Sequence, residues 1–240
     1  MKYPRIIAHR GGGILAPENT LAGLRLAARL GCSAVEFDVM LSGDGVPVLI
    51  HDETLERTTD GHGRVAEQSF AQLRRLDAGS WRGEAYQGEA IPTLEEALLL
   101  CADLARWANV EIKPAAGHDA ATGSVVGALL AAASGYRGVV SSFSAAALAA
   151  ARRQAPALDY AWLADVVADD WQATLNTLGC RALHCRVDAA AADVIAAAAA
   201  AAIPLACYTV NCRNEAERLF RGGIAAVFTD RPDLWLPGEM

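Results

Sequence analysis

The sequence predicts an α/β chain closed into a (β/α)8 barrel, on three observations. Short β-branched or apolar runs alternate with Ala- and Leu-rich helical stretches along the whole chain. Such alternation implies parallel strands joined by right-handed crossovers. One connection is too short for a crossover, and discounting it leaves eight parallel strands. The length of 240 residues suits one barrel.

In chain order, strands are expected at 6–9, 34–39, 46–51, 109–113, 139–143, 160–163, 182–186, 205–210 and 226–229. Helices fit between most of them, among them 20–30, 94–105, 124–133, 145–154 and 189–202. The second and third strands are separated only by Ser42-Gly43-Asp44-Gly45, a turn sequence. A parallel crossover needs about a dozen residues, so this pair must be an antiparallel hairpin. The run 46–51 is then an excursion from the second barrel strand. An open doubly wound sheet is the alternative that pattern alone leaves standing. The Ala-rich run 189–202 reads as helix, because alanine is the best helix former.

The stretch 53–91 breaks the alternation. It holds Thr58-Thr59-Asp60-Gly61-His62-Gly63, a short amphipathic run at 70–76, Trp81, Tyr86 and several glycines. Long connections in compact domains are usually functional. It reads as an insertion over the carboxyl-terminal face of one catalytic domain spanning 1–240.

Composition narrows the function. Apolar residues make up 53% and charged residues 20%, enough for a sizeable core. Net charge is 21 − 28 = −7, with no basic run, which argues against nucleic-acid binding. The cysteines Cys32, Cys101, Cys180, Cys185, Cys207 and Cys212 lack CxxC spacing and read as reduced thiols of a cytoplasmic protein. No signal peptide is expected. The stretch 194–210 is mostly alanine and is broken by Pro204, so membrane insertion is not expected either. The number of subunits stays open, a homo-oligomer included.

Barrel active sites sit at the carboxyl ends of strands. Those ends carry His9-Arg10, Glu36-x-Asp38, His51-Asp52 and Glu111-x-Lys113. Glu36 and Asp38 lie two apart on a strand, so they share a face with Cα atoms roughly 6.6 Å apart. Glu111 on the neighbouring strand can supply a third oxygen. Three carboxylates without cysteine favour one hard divalent cation, Mg²⁺ or Ca²⁺. The bland alternative is a salt-bridge network with Arg10 and Lys113. His9 and His51 flank the acids, and a pair of imidazoles can remove one proton and donate another. Asp52 directly follows His51 and is expected to point away from it. His62, His118 and His184 are expected to be solvent-facing or structural. Arg10 and Lys113 suit a phosphodiester, whose transition state gathers negative charge. Gly11-Gly12-Gly13 lacks the P-loop pattern and reads as a tight turn, and no GxSxG is present.

These residues resemble the glycerophosphodiester phosphodiesterase family, and most of all its cytosolic bacterial members. The match runs through HRGGGILAPENT at 9–20, EFDVMLSGDGVPVLIHDETLERTTDG at 36–61, IPTLEEAL at 91–98 and EIKP at 111–114. SSF at 141–143, YTVN at 208–211 and FTDRPD at 228–233 continue it. The resemblance implies hydrolysis of glycerophosphodiesters, such as glycerophosphocholine or glycerophosphoethanolamine, to sn-glycerol 3-phosphate and an alcohol. It implies a divalent metal on Glu36, Asp38 and Glu111, and acid–base catalysis by His9 and His51. Arg10 and Lys113 would contact phosphate, and Glu18 and Asn19 would support the site from behind. Tyr208 stands where many members carry Trp, keeping an aromatic face for the glycerol. Related phospholipases C use an internal hydroxyl as first nucleophile, so the glycerol 2-hydroxyl or a water would attack. The rival enzyme is a lipid phosphodiesterase of the phospholipase C/D type, or a cyclising lyase. It would want an apolar rim, for which the insertion offers only Phe70, Trp81 and Tyr86. A non-catalytic ligand-binding barrel is the rival from another class, against which both histidines and all three acids count.

Overall fold

The computed structural model describes residues 2–235. Eight parallel strands close on themselves: β1 (Ile6–Ala8), β2 (Ala34–Leu41), β4 (Trp107–Ile112), β5 (Gly138–Ser142), β6 (Tyr160–Ala164), β7 (Ala182–Arg186), β8 (Leu205–Tyr208) and β9 (Ala226–Thr229). Closure comes from the β1 pairing with both β2 and β9. The remaining strand, β3 (Pro47–Leu49), runs antiparallel to β2. This is the hairpin that the four-residue turn requires. The helices α1 (Leu21–Arg29), α3 (Leu94–Asp103), α4 (Asp119–Ala132), α5 (Ala145–Gln154), α6 (Trp171–Leu178), α7 (Ala192–Ala200) and α8 (Arg213–Gly222) follow the barrel strands. A one-turn helix, α2 (Phe70–Leu73), lies in the long connection.

Period-two alternation decides which side chains reach the barrel interior. On β2, Val35, Phe37 and Val39 join the apolar layer under the helices, so Ala34, Glu36 and Asp38 face inward. On β4, Ala108, Val110 and Ile112 face the helices, and Asn109 and Glu111 face inward by the same rule. The floor of the barrel is mostly alanine, Ala34, Ala161, Ala182, Ala206 and Ala226, with Tyr3, Ile7, Val139 and Phe228 packed among them. Apolar filling below and carboxylates above divide the interior into a packing half and a polar half.

His184 belongs to the packing half. It is fully buried, its Nε2 pairs with the Tyr3 hydroxyl at 2.7 Å, and its Nδ1 has no hydrogen-bond partner. Burial lowers its pKa from 6.5 to about 3. An unfolded chain takes up that proton below about 6.5, whereas the folded chain refuses it until about 3. Stability is therefore expected to fall as pH drops through that window, by about 1.4 kcal/mol per unit at most. Thermal melting between pH 6 and 4 checks this, with His184→Gln giving a shallower decline than the parent.

The connection between β3 and α3 has its own small core, Leu55, Val65, Leu73, Ala78 and Ile91, packed on Met40, Val48 and Ile50. It also reaches the loop after β1. The Arg82 guanidinium donates to the Ile14 carbonyl, and the Tyr86 hydroxyl donates to Leu15 O at 3.1 Å. No helix among the described residues is long and apolar enough to cross a membrane. Cys32, Cys101, Cys180, Cys185 and Cys207 are buried thiols, and Cys212 is exposed.

Candidate active site

The strand ends meet around a cavity of about 340 Å³ that takes in His9, Arg10, Glu36, Asp38, His51, Glu111, Lys113 and Tyr208. Eight of the ten residues singled out from sequence thus share one space. Glu18 and Asn19 stand just behind it. Asn19 Nδ2 donates to Asp38 Oδ2 at 2.9 Å, and Asn19 Oδ1 accepts from the Asp38 backbone N–H at 3.0 Å. The Glu18 carboxylate accepts from Arg10 Nη1 at 2.9 Å.

Glu36, Asp38 and Glu111 each offer an oxygen, and the three oxygens lie within 4.8 Å of one another. The register explains this, because Asp38 pairs directly with Glu111 across β2 and β4. The backbone N–H of Arg10 donates to Glu36 Oε2 at 2.8 Å, from a left-handed conformation at φ 49. The opposite oxygen, Glu36 Oε1, is buried without a hydrogen bond. Glu111 Oε1 has no hydrogen bond either, only the Lys113 ammonium 3.5 Å away. Burial and the charges of Asp38 and Glu111 push the Glu36 carboxyl well above its ordinary range. Burial, then Asp38, lifts Glu111 to about 8. Buried carboxylate oxygens left unpaired and repelling one another fit a site for one cation, since Arg10 and Lys113 leave Glu36 Oε1 and Glu111 Oε1 without a hydrogen bond. A salt-bridge network alone does not account for them: Arg10 Nε approaches Asp38 Oδ2 only to 3.7 Å.

Each imidazole is backed by a carboxylate. His9 Nδ1 pairs with Asp230 Oδ1 at 2.7 Å, and His51 Nδ1 with Asp52 Oδ1 at 2.6 Å. With Nδ1–H donating to the carboxylate, each Nε2 is left for the cavity. Burial lowers the His51 pKa below 6.5, aided by the cations Arg10 and Lys113 and opposed by Asp38 and Asp52. It is a neutral acceptor at pH 7.

The Asp52 contact corrects the expectation from sequence. Adjacent side chains diverge only on an extended strand, and β3 stops at Leu49. His51 and Asp52 lie in a bend, which brings the two side chains to one side. Asp52 is in turn gripped by Arg57, through Nε at 2.5 Å and Nη2 at 3.1 Å. The same guanidinium donates to both oxygens of Glu18, at 2.7 and 2.8 Å. Hydrogen bonds from Arg57 and His51 hold the Asp52 carboxyl well below its usual range despite burial.

Asp230, Asp52 and Arg57 were missed in the sequence. Asp230 was findable, because it directly follows the end of β9, where strand-end chemistry applies. Asn211 orients it from the loop after β8, donating to Asp230 Oδ2 at 3.0 Å and accepting from the Asp230 backbone N–H at 2.8 Å. Arg57 lies inside the motif at 36–61, but nothing in its own spacing marks it, since one arginine in a polar loop is ordinary. Tyr208 and Phe143 meet edge to face with ring centres 6.0 Å apart, and the Tyr208 hydroxyl donates to Asp165 at 3.3 Å.

A barrel that sets an acidic trio beside two carboxylate-backed imidazoles and two fixed cations has the equipment of a phosphoryl-transfer hydrolase. Comparison with known proteins narrows that class. The model of the glycerophosphoryl diester phosphodiesterase family matches residues 9–234. A glycerophosphodiester phosphodiesterase of Caldanaerobacter subterraneus is 33% identical over 95% of this chain and 94% of its own. A phosphodiesterase from Oleispira antarctica, solved with the product sn-glycerol-3-phosphate, superposes with a TM-score of 0.93 at 38% identity, covering 96% of this chain and 94% of that one. A glycerophosphodiester phosphodiesterase from Agrobacterium tumefaciens follows with a TM-score of 0.78 and 26% identity over 98% of both chains. The chain belongs to the glycerophosphoryl diester phosphodiesterase family.

Proposed function

We propose that the protein hydrolyses glycerophosphodiesters, such as glycerophosphocholine or glycerophosphoethanolamine, to sn-glycerol 3-phosphate and an alcohol. The observation that carries this reading is the pair of carboxylate-backed imidazoles opening on one cavity with the three carboxylates. The product bound in the Oleispira relative supports the same substrate class and disfavours a cyclising lyase.

Glu36, Asp38 and Glu111 would hold one divalent cation, Mg²⁺ or Ca²⁺, suited by their all-oxygen donor set. Once bound, the ion supplies charge for the phosphoryl oxygens. Arg10 and Lys113 add two fixed positive charges at the same end. One imidazole removes the proton of the attacking oxygen, from the glycerol 2-hydroxyl or from water. The other gives a proton to the departing alkoxide, so the P–O bond breaks without releasing a free alkoxide. Phe143 and Tyr208 offer ring surface to the glycerol carbons. Glu18 and Asn19 fix Arg10 and Asp38 from behind. The segment 53–91 acts as a cover over this end of the barrel, and the buried thiols suit a reducing, cytoplasmic setting.

A coupled assay for glycerol 3-phosphate, fed glycerophosphocholine with and without EDTA, tests the reading. Product that forms equally fast in EDTA would remove the cation from it, and no product at all would remove the activity.

Arg57 is a positioning residue, because it ties the partner of His51 to the partner of Arg10. Arg57→Ala is expected to lower kcat about 10- to 100-fold, the range for losing groups that orient catalytic ones. The pH profile should move with it, since Asp52 loses its restraint, and Arg57→Lys should recover only part. Thermal stability should change little for a side chain 44% exposed.

A further inference from the structure

A second concavity, about 560 Å³, opens beside the first and shares His9, Arg10 and Thr209 with it. Its outer wall carries Ile14 and Trp81, which are 50% and 42% exposed. Single exposed apolar side chains are ordinary, but two lining one groove that opens into a reaction cavity mark a binding surface. The walls are tied in place. The Trp81 indole N–H donates to Ala78 O at 2.9 Å, which sets its plane. The Arg82 and Tyr86 side chains cross to the carbonyls of Ile14 and Leu15. Gly13, at φ +58, seats that loop on the β9 end, where a Cβ would come within 2.2 Å of Asp230 O.

The groove's charges cancel and are engaged. Glu18 is held by Arg10 and Arg57, Asp230 by His9 and Asn211, and Arg82 by a carbonyl. A bare ion therefore gains little there. What remains open to an occupant is the indole face and the Ile14 methyls.

We propose that this groove holds the alcohol that leaves the phosphodiester, and that it favours alcohols bearing a methylated ammonium over polyols. The inference rests on the phosphodiesterase reading and adds a headgroup preference to it. A diester has two arms on one phosphorus. The hydroxyl-rich glycerol arm matches the first cavity, where Asp165, Tyr208 and Lys113 offer polar atoms. The other arm then leaves past His9 and Arg10, the residues common to both spaces. There a trimethylammonium group lays its methyls and its charge on the Trp81 face, by dispersion and cation–π attraction. A glycerol headgroup has no comparable partner.

The test is the ratio of kcat/KM for glycerophosphocholine to that for glycerophosphoglycerol, read as glycerol 3-phosphate formed. The parent should favour the choline ester, Trp81→Ala should lower the ratio about tenfold, and Trp81→Phe should lower it less. A ratio unchanged in Trp81→Ala, whether both rates fall together or neither falls, overturns the groove assignment while leaving the phosphodiesterase reading intact. No product from either ester with the parent protein overturns both.

Discussion

His51→Ala is expected to lower kcat by about 10²- to 10⁴-fold, the usual worth of a positioned acid or base. His9→Ala should behave alike. Each ring is locked through Nδ1 by a carboxylate at 2.7 Å or less, leaving one nitrogen for the substrate. Neither imidazole is one of the three oxygen ligands, so calorimetric titration with Mg²⁺ or Ca²⁺ should give an affinity near that of the parent. Loss of activity with retained metal affinity is the signature of acid–base work. Full activity in either variant would remove that histidine from the chemistry. Since burial holds the His51 pKa below 6.5, the limb of kcat/KM that depends on neutral His51 should lie on the acid side of that value.

Glu111→Gln should lower kcat/KM by about 10³-fold, because losing a ligand forfeits several kcal/mol of charge stabilisation. It should also make the metal-free protein more stable. The Glu111 carboxyl, ordinarily near 4.5, is raised to about 8 by burial and by Asp38. Between those values the folded chain holds a proton that the unfolded chain has released, so metal-free stability falls as pH rises. Above about 8 the cost of an ionised Glu111 beside Asp38 is carried in full. Melting temperatures in EDTA, from pH 6.5 to 9, above the window in which His184 acts, should slope downward for the parent and less so for Glu111→Gln. Adding the cation should flatten the parent's slope. A parent whose EDTA melting temperature does not fall across this range would contradict the crowded-carboxylate account. Activity and metal-free stability thus pull in opposite directions at this residue, as they do where function requires unfavourable groups to be held together.

Much of the architecture was legible because its causes are local. The Ser42-Gly43-Asp44-Gly45 link is too short for anything but a hairpin, and β2–β3 is one. Strand alternation placed Glu36 and Asp38 on one face, and both are nearly fully buried there, at 2% exposure. The ends of elements were less legible. The expected strand 46–51 stops at Leu49, because the chain must bend for His51 to enter the cavity. The helix expected to begin at 124 begins at Asp119, directly after the β4 loop.

By itself the sequence determined the eight parallel strands, the acids and His9 at their ends, His51 after the hairpin, and the family to which those motifs belong, since each is a pattern that runs along the chain. Only the tertiary structure decided what stands behind them. The Asp230 carboxylate meets His9 across 221 positions of chain, and Arg57 reaches 39 positions back to Glu18. Closure of the barrel and docking of the long connection create those contacts, and no periodicity in a linear sequence encodes a distance that arises only when strand ends are drawn into one ring.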